Sequence, residues 1–140
     1  MKALWTQDEA GFDGEFVKFS PSWSWPKPVQ QPHPPVIMGG AGGPITFRHV
    51  VEYCDGWMPI HGRRRVFEML PGLHTAAEAA GRNPATIDLG VFGCPPKPDV
   101  IESYREAGFT RCVLGLPPAG EDVVLPLLDR YAEVLSQSSV

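Results

Sequence analysis

From residue 35 onward the chain repeats one arrangement of hydrophobic and polar positions: a short apolar run, a turn of Gly and Pro, then a stretch with helical spacing. The first run, Pro35-Val-Ile-Met-Gly39, reads as a strand, and Phe47, Val50, Val51 and Cys54 at i, i+3, i+4, i+7 predict a helix. Pro44 suits its first position, where a missing N–H costs nothing, and Asp55-Gly56 is expected to stop it. The second run, Gly56-Trp-Met-Pro-Ile60, leads to a helix with Val66, Met69, Leu70, Leu73, Ala76, Ala77 and Ala80 on one face, ended by Gly81. Pro71-Gly72 interrupts that pattern. An interior proline costs roughly 3 kcal/mol, so a kink or break is expected there. The third run, Ile87–Phe92, precedes a helix from Pro98 to Gly108. The fourth, Arg111–Leu116, precedes one carrying Val124, Leu127, Leu128, Tyr131 and Leu135.

Four strand–helix units with short connections predict an α/β fold, a parallel sheet covered by helices. Such sheets either open into a doubly wound layer or close as an eightfold barrel. Strands are expected near 35–39, 56–59, 87–92 and 111–115, parallel and adjacent in chain order.

The stretch before residue 35 differs. Residues 1–6 read as the tail of a helix, so the start of the chain reads as internal to a larger domain. Phe12–Phe19 alternates weakly and predicts a short ribbon. Six prolines fall within residues 21–35, which therefore form an extended loop rather than a helix or central strand. Trp23 and Trp25 are costly to leave in water and are expected to pin that loop.

Composition narrows the function classes. The 140 residues are 43% hydrophobic and 20% charged, a globular balance. A net charge of -4 argues against a nucleic-acid footprint or an anionic membrane surface. No apolar run approaches a membrane span, and no signal-peptide pattern is visible. Three widely spaced cysteines, Cys54, Cys94 and Cys112, fit reduced thiols and a cytoplasmic location rather than a disulfide framework. No Cys/His zinc spacing occurs, so no metal site is expected.

The strongest candidate for chemistry is Gly39-Gly40-Ala41-Gly42-Gly43-Pro44, a glycine-rich turn between a strand end and a helix start. Bare backbone amides can approach a phosphate closely there, and the helix dipole favours the anion. A dinucleotide fingerprint fails: from Gly40 the pattern gives Gly42 and then Ile45 in place of the third glycine. A plain tight turn is the alternative. Gly115-Leu-Pro-Pro-Ala-Gly120 is a rival phosphate loop with fewer glycines and a less clean helix start.

His61 follows the second strand, at the end where barrels place active sites, and could donate a proton or bind substrate. Arg63, Arg64 and Arg65 come next. Positive charge at a helix N-terminus opposes the dipole, so either the helix starts later or the charges serve an anion. Trp57 is expected in the core. Cys94 has no base visible in the sequence and reads as a packed thiol. His33, between prolines, has no partner at metal-ligand spacing, and His49 and His74 fall on predicted helices and read as surface or helix-packing residues.

Read together, Met1-Lys-Ala-Leu-Trp-Thr-Gln-Asp-Glu9, Asp13-Gly-Glu-Phe16, Trp25-Pro-Lys-Pro-Val-Gln30, Pro34-Pro-Val-Ile-Met-Gly-Gly40, Tyr53-Cys-Asp-Gly-Trp57 and Val113-Leu-Gly-Leu-Pro117 resemble the C-terminal half of the luciferase-like monooxygenase superfamily. The resemblance is to its branch using the deazaflavin coenzyme F420. It implies a TIM-type (β/α)8 barrel, of which residues 35–140 would supply the last four strand–helix units and residues 1–34 an insertion of ribbon and Pro/Trp loop. A complete member is about twice this length. The implied activity is that of an oxidoreductase: hydride transfer with coenzyme F420, or oxygen activation by reduced FMN, on a small-molecule substrate. Gly42 and Gly43 best match the cofactor's phosphate loop. The family's acid/base residues lie largely in the first half, so no catalytic residue is assigned. A half-barrel also implies self-association, or pairing with a complementary N-terminal half-barrel, and it leaves open a non-catalytic chain that acts only by association.

Overall fold

Apolar positions in the short strands of the C-terminal region alternate between two environments, and the parallel sheet follows from them. The computed structural model describes residues 1–63 and 65–137. The chain divides into two compact units, residues 1–35 and 36–140.

In the first unit, helix α1 (Lys2–Thr6) precedes an antiparallel ribbon of β1 (Glu9–Asp13) and β2 (Lys18–Trp23). Phe12 stacks on Phe19 across it, with ring centroids 6.5 Å apart. β2 takes in Pro21, which a two-stranded ribbon tolerates because one edge of each strand needs no partner. The expectation that the tryptophans pin the loop is corrected: Trp23 and Trp25 are 79% and 62% exposed. Lys27 holds the segment instead. Its ammonium donates to the Leu4 carbonyl at 2.9 Å and to that of Gln7, and lies 5.0 Å from the Trp25 ring centroid. Trp5 and His33 add a tilted ring contact at 5.9 Å.

The second unit runs β3 (Ile37–Gly39), α2 (Pro44–Tyr53), β4 (Gly56–Met58), α3 (Val66–Ala79), a 3-10 turn (Pro84–Thr86), β5 (Asp88–Phe92), α4 (Pro98–Glu106), β6 (Arg111–Val113) and α5 (Glu121–Gln137). The strands pair in the order β3-β4-β5-β6, all parallel, as the repeated pattern predicts. Met38, Trp57, Leu89, Val91 and Cys112 pack among helix residues that include Phe47, Val50, Leu73 and Tyr104. Ile37, Met58, Phe92 and Val113 alternate with them and lie on the other face. No helix among the described residues is long and apolar enough to cross a membrane.

Three local outcomes differ from the sequence expectations. Gly56 does not stop α2. The helix closes at Cys54 in an extended conformation, and Gly56 opens β4. Its role is close approach: a Cβ there would run into the Asp88 carbonyl oxygen, with the Ile37 side chain at 2.8 Å. Gly90 does the same for Met58, whose Cε would be 2.8 Å from an added Cβ. Second, Pro71 does not break α3, which runs unbroken through it. The lost hydrogen bond is outweighed by burial of Val66, Leu70, Leu73 and Ala77 on both sides of the proline. Third, α5 buries none of its residues: Val124, Leu127 and Tyr131 are half-buried, and Leu128 and Leu135 are exposed. Gly81 and Gly108 do end α3 and α4. Both have positive φ, and the paired bonds Arg82 N–H to Ala77 O and Phe109 N–H to Tyr104 O close each helix.

The helix ends are also linked. The Arg82 guanidinium, just past α3, donates to the carbonyls of Val50 and Cys54 at 3.1 and 2.6 Å, and so caps α2 from a different element. At the same end of the sheet Asp88 accepts from Thr110 at 2.5 Å and pairs with Arg111 at 3.2 Å. Cys94 is 2% exposed, and burial, together with Cys112 beside it, pushes its thiol up to about 12. That fits the reading of a packed cysteine.

Two outcomes follow from this packing. Gly56→Ala should destabilise the fold by about 1–3 kcal/mol in a urea titration, the usual cost of overpacking; an unchanged midpoint would mean that the strands separate freely. Cys94 should resist iodoacetamide at pH 8 while the chain is folded and react once it is unfolded, as read by peptide mass. Because the folded thiol titrates above its ordinary value of 9.0, its contribution is intact below that pH. Stability should then fall as the pH rises toward about 12, since the unfolded chain releases the proton first.

Candidate active site at the C-terminal ends of the strands

The glycine loop leaves β3 and is held at three points before α2 begins. The Gly40 carbonyl accepts a hydrogen bond from the Trp57 indole Nε1 at 3.1 Å. The Ala41 carbonyl accepts one from the Thr46 hydroxyl at 2.9 Å. Gly43 takes the N-cap position, where its carbonyl accepts from the Phe47 amide at 2.9 Å. Gly40 (φ 126°) and Gly43 (φ 156°) adopt conformations that side chains disfavour, and a Cβ at either would point into open space. Gly39 is likewise open. Gly42 is different. It is buried, and a Cβ there would lie 2.9 Å from both Met69 and Phe47. Its glycine is required by helix packing, so a larger residue at 42 would test the core, whereas Gly39 and Gly43 are the open positions.

The loop after β4 supplies the other wall. Ile60 to Arg63 form a tight turn, with the Arg63 amide donating to the Ile60 carbonyl at 3.3 Å and Gly62 at φ 74°, the positive value its third position needs. The turn separates two residues singled out in the sequence. Arg63 lines a cavity of about 120 Å³ together with Gly40, Ala41, Gly42 and Trp57. No carboxylate lines this cavity, the first turn of α2 has no acidic residue, and Arg63 forms no ion pair among the described residues. The backbone of Gly40, Ala41 and Gly42 and the side chain of Arg63 thus border one small cavity, otherwise lined by apolar side chains such as Ile60, Val66 and Met69; a guanidinium beside bare glycine backbone can pair with an anion. The rival loop Gly115–Gly120 leads into α5, whose first turn already holds Glu121 and Asp122.

The arginine cluster resolves residue by residue. The helix starts after it, at Val66; Arg65 pairs with Glu68 at 2.8 Å on the surface; Arg64 lies outside the described residues. His61 is not in the cavity with Arg63. Its amide donates to the Phe92 carbonyl at 2.9 Å, and its ring Nδ1 lies 2.9 Å from the Tyr104 hydroxyl on α4. Burial raises the Tyr104 phenol above its ordinary value, with Cys94 and Cys112 adding to it. Two residues at this end were not singled out for what they do here. The hydrogen bond of Trp57 to the loop has a visible signal, since a core tryptophan must place its N–H. Tyr104 carries the same signal, a phenol on the Val100/Ile101/Tyr104 face of a helix.

Similarities to known proteins bear on this geometry. Residues 1–108 match the family model for luciferase-like monooxygenases. An uncharacterized protein of Mycobacterium tuberculosis is 41% identical over 138 residues, covering 97% of this chain and 48% of that protein. An F420-dependent glucose-6-phosphate dehydrogenase of Gordonia bronchialis is 32% identical over 91 residues, 63% of this chain and 26% of that one. An FMNH2-dependent dimethylsulfone monooxygenase of Pseudomonas putida is 44% identical over 41 residues, 29% of this chain and 11% of that one. Among solved structures, an F420-dependent secondary alcohol dehydrogenase superposes with TM-score 0.72 at 15% identity, over 99% of this chain and 59% of that one. The F420-dependent tetrahydromethanopterin reductase of Methanopyrus kandleri superposes with TM-score 0.63 at 18% identity, over 88% and 58%. The chain therefore spans about half the length of the mycobacterial relative, 48%. With the match covering most of its length and the parallel sheet in place, the chain belongs to the luciferase-like monooxygenase family.

Proposed function

We propose that this chain is the C-terminal half of a TIM-type (β/α)8-barrel oxidoreductase, and that its glycine loop and Arg63 hold the phosphate of a reduced deazaflavin, coenzyme F420. The observation that carries this reading is the shared cavity: the loop residues Gly40, Ala41 and Gly42 and, from the loop after the next strand, Arg63 line one space free of carboxylates. FMN offers the same phosphate chemistry and is the alternative. F420 is favoured because the F420-dependent relative matches 91 residues and the FMNH2-dependent one 41. When bound, such a cofactor supplies hydride transfer, or oxygen activation in the FMN case, to a small organic substrate. The residues of this chain bind and orient it. Gly39 to Gly43 and Arg63 fix the anionic end, and His61 stands at the same end of the sheet as a substrate contact.

A second reading concerns association. Ile37, Met58, Ile60 and Phe92 line a shallow depression of about 330 Å³ on the sheet face away from the helices, and β3 and β6 end the sheet. An apolar face between two unpaired edges suits a complementary half-barrel or a second copy.

Arg63→Ala should weaken F420 binding about tenfold in an equilibrium fluorescence titration, the order of a charge-assisted hydrogen bond. The titration is run on the chain alone and on the chain mixed with the N-terminal half of its mycobacterial relative. Equal affinity in wild type and variant would reject the phosphate role. Tight binding of FMN without F420 would keep the site and change the cofactor. For association, light scattering should report dimers or larger species at micromolar concentration; a monodisperse monomer that binds no hydrophobic dye would overturn that reading.

A further inference from the structure

We propose that Tyr104 is a positioning residue that sets the tautomer of His61, donating its phenolic proton to Nδ1 so that Nε2 carries the N–H. The two side chains lie 2.9 Å apart across the ends of β4 and α4, and they can share the proton in two ways. If His61 donated, the phenol would need another acceptor. None exists for it among the described residues, and Tyr104 is 2% exposed, so its O–H would be buried unpaired. If the phenol donates, every buried polar atom of the pair is satisfied, and the unpaired arrangement costs enough to decide between them. Burial also holds the phenol above its ordinary titration range, so it keeps the proton that it donates.

The phenol is fixed in place. Its ring packs on Phe67 and Phe109 at centroid distances of 4.8 and 5.0 Å, and Phe109 is itself locked by the bond that closes α4. His61 is equally constrained, by its amide on the Phe92 carbonyl and by the turn that Gly62 permits. The ring therefore presents one face and one donor. A half-buried, uncharged N–H at this end of the sheet suits the acceptor oxygen of a small ligand, such as a carbonyl or hydroxyl oxygen. That last step rests on reading the C-terminal ends of the strands as the ligand-binding end; the tautomer itself does not.

The test is the imidazole nitrogen spectrum of 15N-histidine-labelled protein, with no cofactor added, at a pH where the ring is neutral. Wild type should show His61 protonated at Nε2, with Nδ1 as a hydrogen-bonded acceptor. Tyr104→Phe keeps the ring contacts and removes the hydroxyl. It should raise the ratio of Nδ1–H to Nε2–H tautomer about fivefold, the loss of one ordinary hydrogen bond. A purely structural role would lower the melting temperature and leave that ratio alone. An Nδ1–H signal in wild type, or an unchanged ratio in the variant, would overturn the assignment. Should Tyr104→Phe not fold, the wild-type spectrum alone decides. Because no cofactor is present, failure here leaves the phosphate site standing, and a failed F420 titration leaves the tautomer standing.

Discussion

Burial of one indole organises the second unit. Trp57 has no exposed surface, meets Phe47 edge-on with centroids 5.4 Å apart, and still satisfies its N–H on the Gly40 carbonyl. The strand, the first helix and the glycine loop are thereby bound to one side chain. The loop can afford two backbone conformations closed to most residues because its exit is held by this bond and its entry to α2 by the Thr46 hydroxyl. A flexible glycine-rich turn would lose its shape to entropy; this one is anchored to a fully buried core residue.

Much of the fold was legible from the periodicity. The four strands and their helices fall within the expected stretches because burial on one face imposes a spacing that no other structure satisfies. What was misread lay where two elements meet. Gly56 resembles a helix stop in sequence, yet its need arises from Asp88, a residue on another strand. Pro71 resembles a break, yet packing on either side carries α3 through it. Trp23 and Trp25 resemble anchors, yet Lys27 does the anchoring. Each depends on a neighbour distant in the chain.

The candidate site was legible in its parts. The glycine loop stood out by composition, and His61 and Arg63 by their place after a strand. Their separation by the turn at Gly62 was not visible, because it depends on which way consecutive side chains leave a bend. Tyr104 escaped notice because it sits 43 residues from its partner, on a helix whose other apolar residues read simply as core. Membership of the luciferase-like family fits the parallel order of the strands, and the chain spans about half the length of the mycobacterial relative, 48%.

Arg82 has a consequence for how the second unit comes apart. Its backbone closes α3, while its guanidinium closes α2 by holding the Val50 and Cys54 carbonyls. The first two strand–helix repeats are thus not modules joined by a passive link. Fraying at the end of α3 withdraws a donor shared by two carbonyls at the end of α2, so the two helix ends are coupled. A recombination boundary placed at residue 55 would separate a helix from its own cap, which makes the two-repeat block, rather than the single repeat, the smallest piece of this sheet that could be exchanged intact.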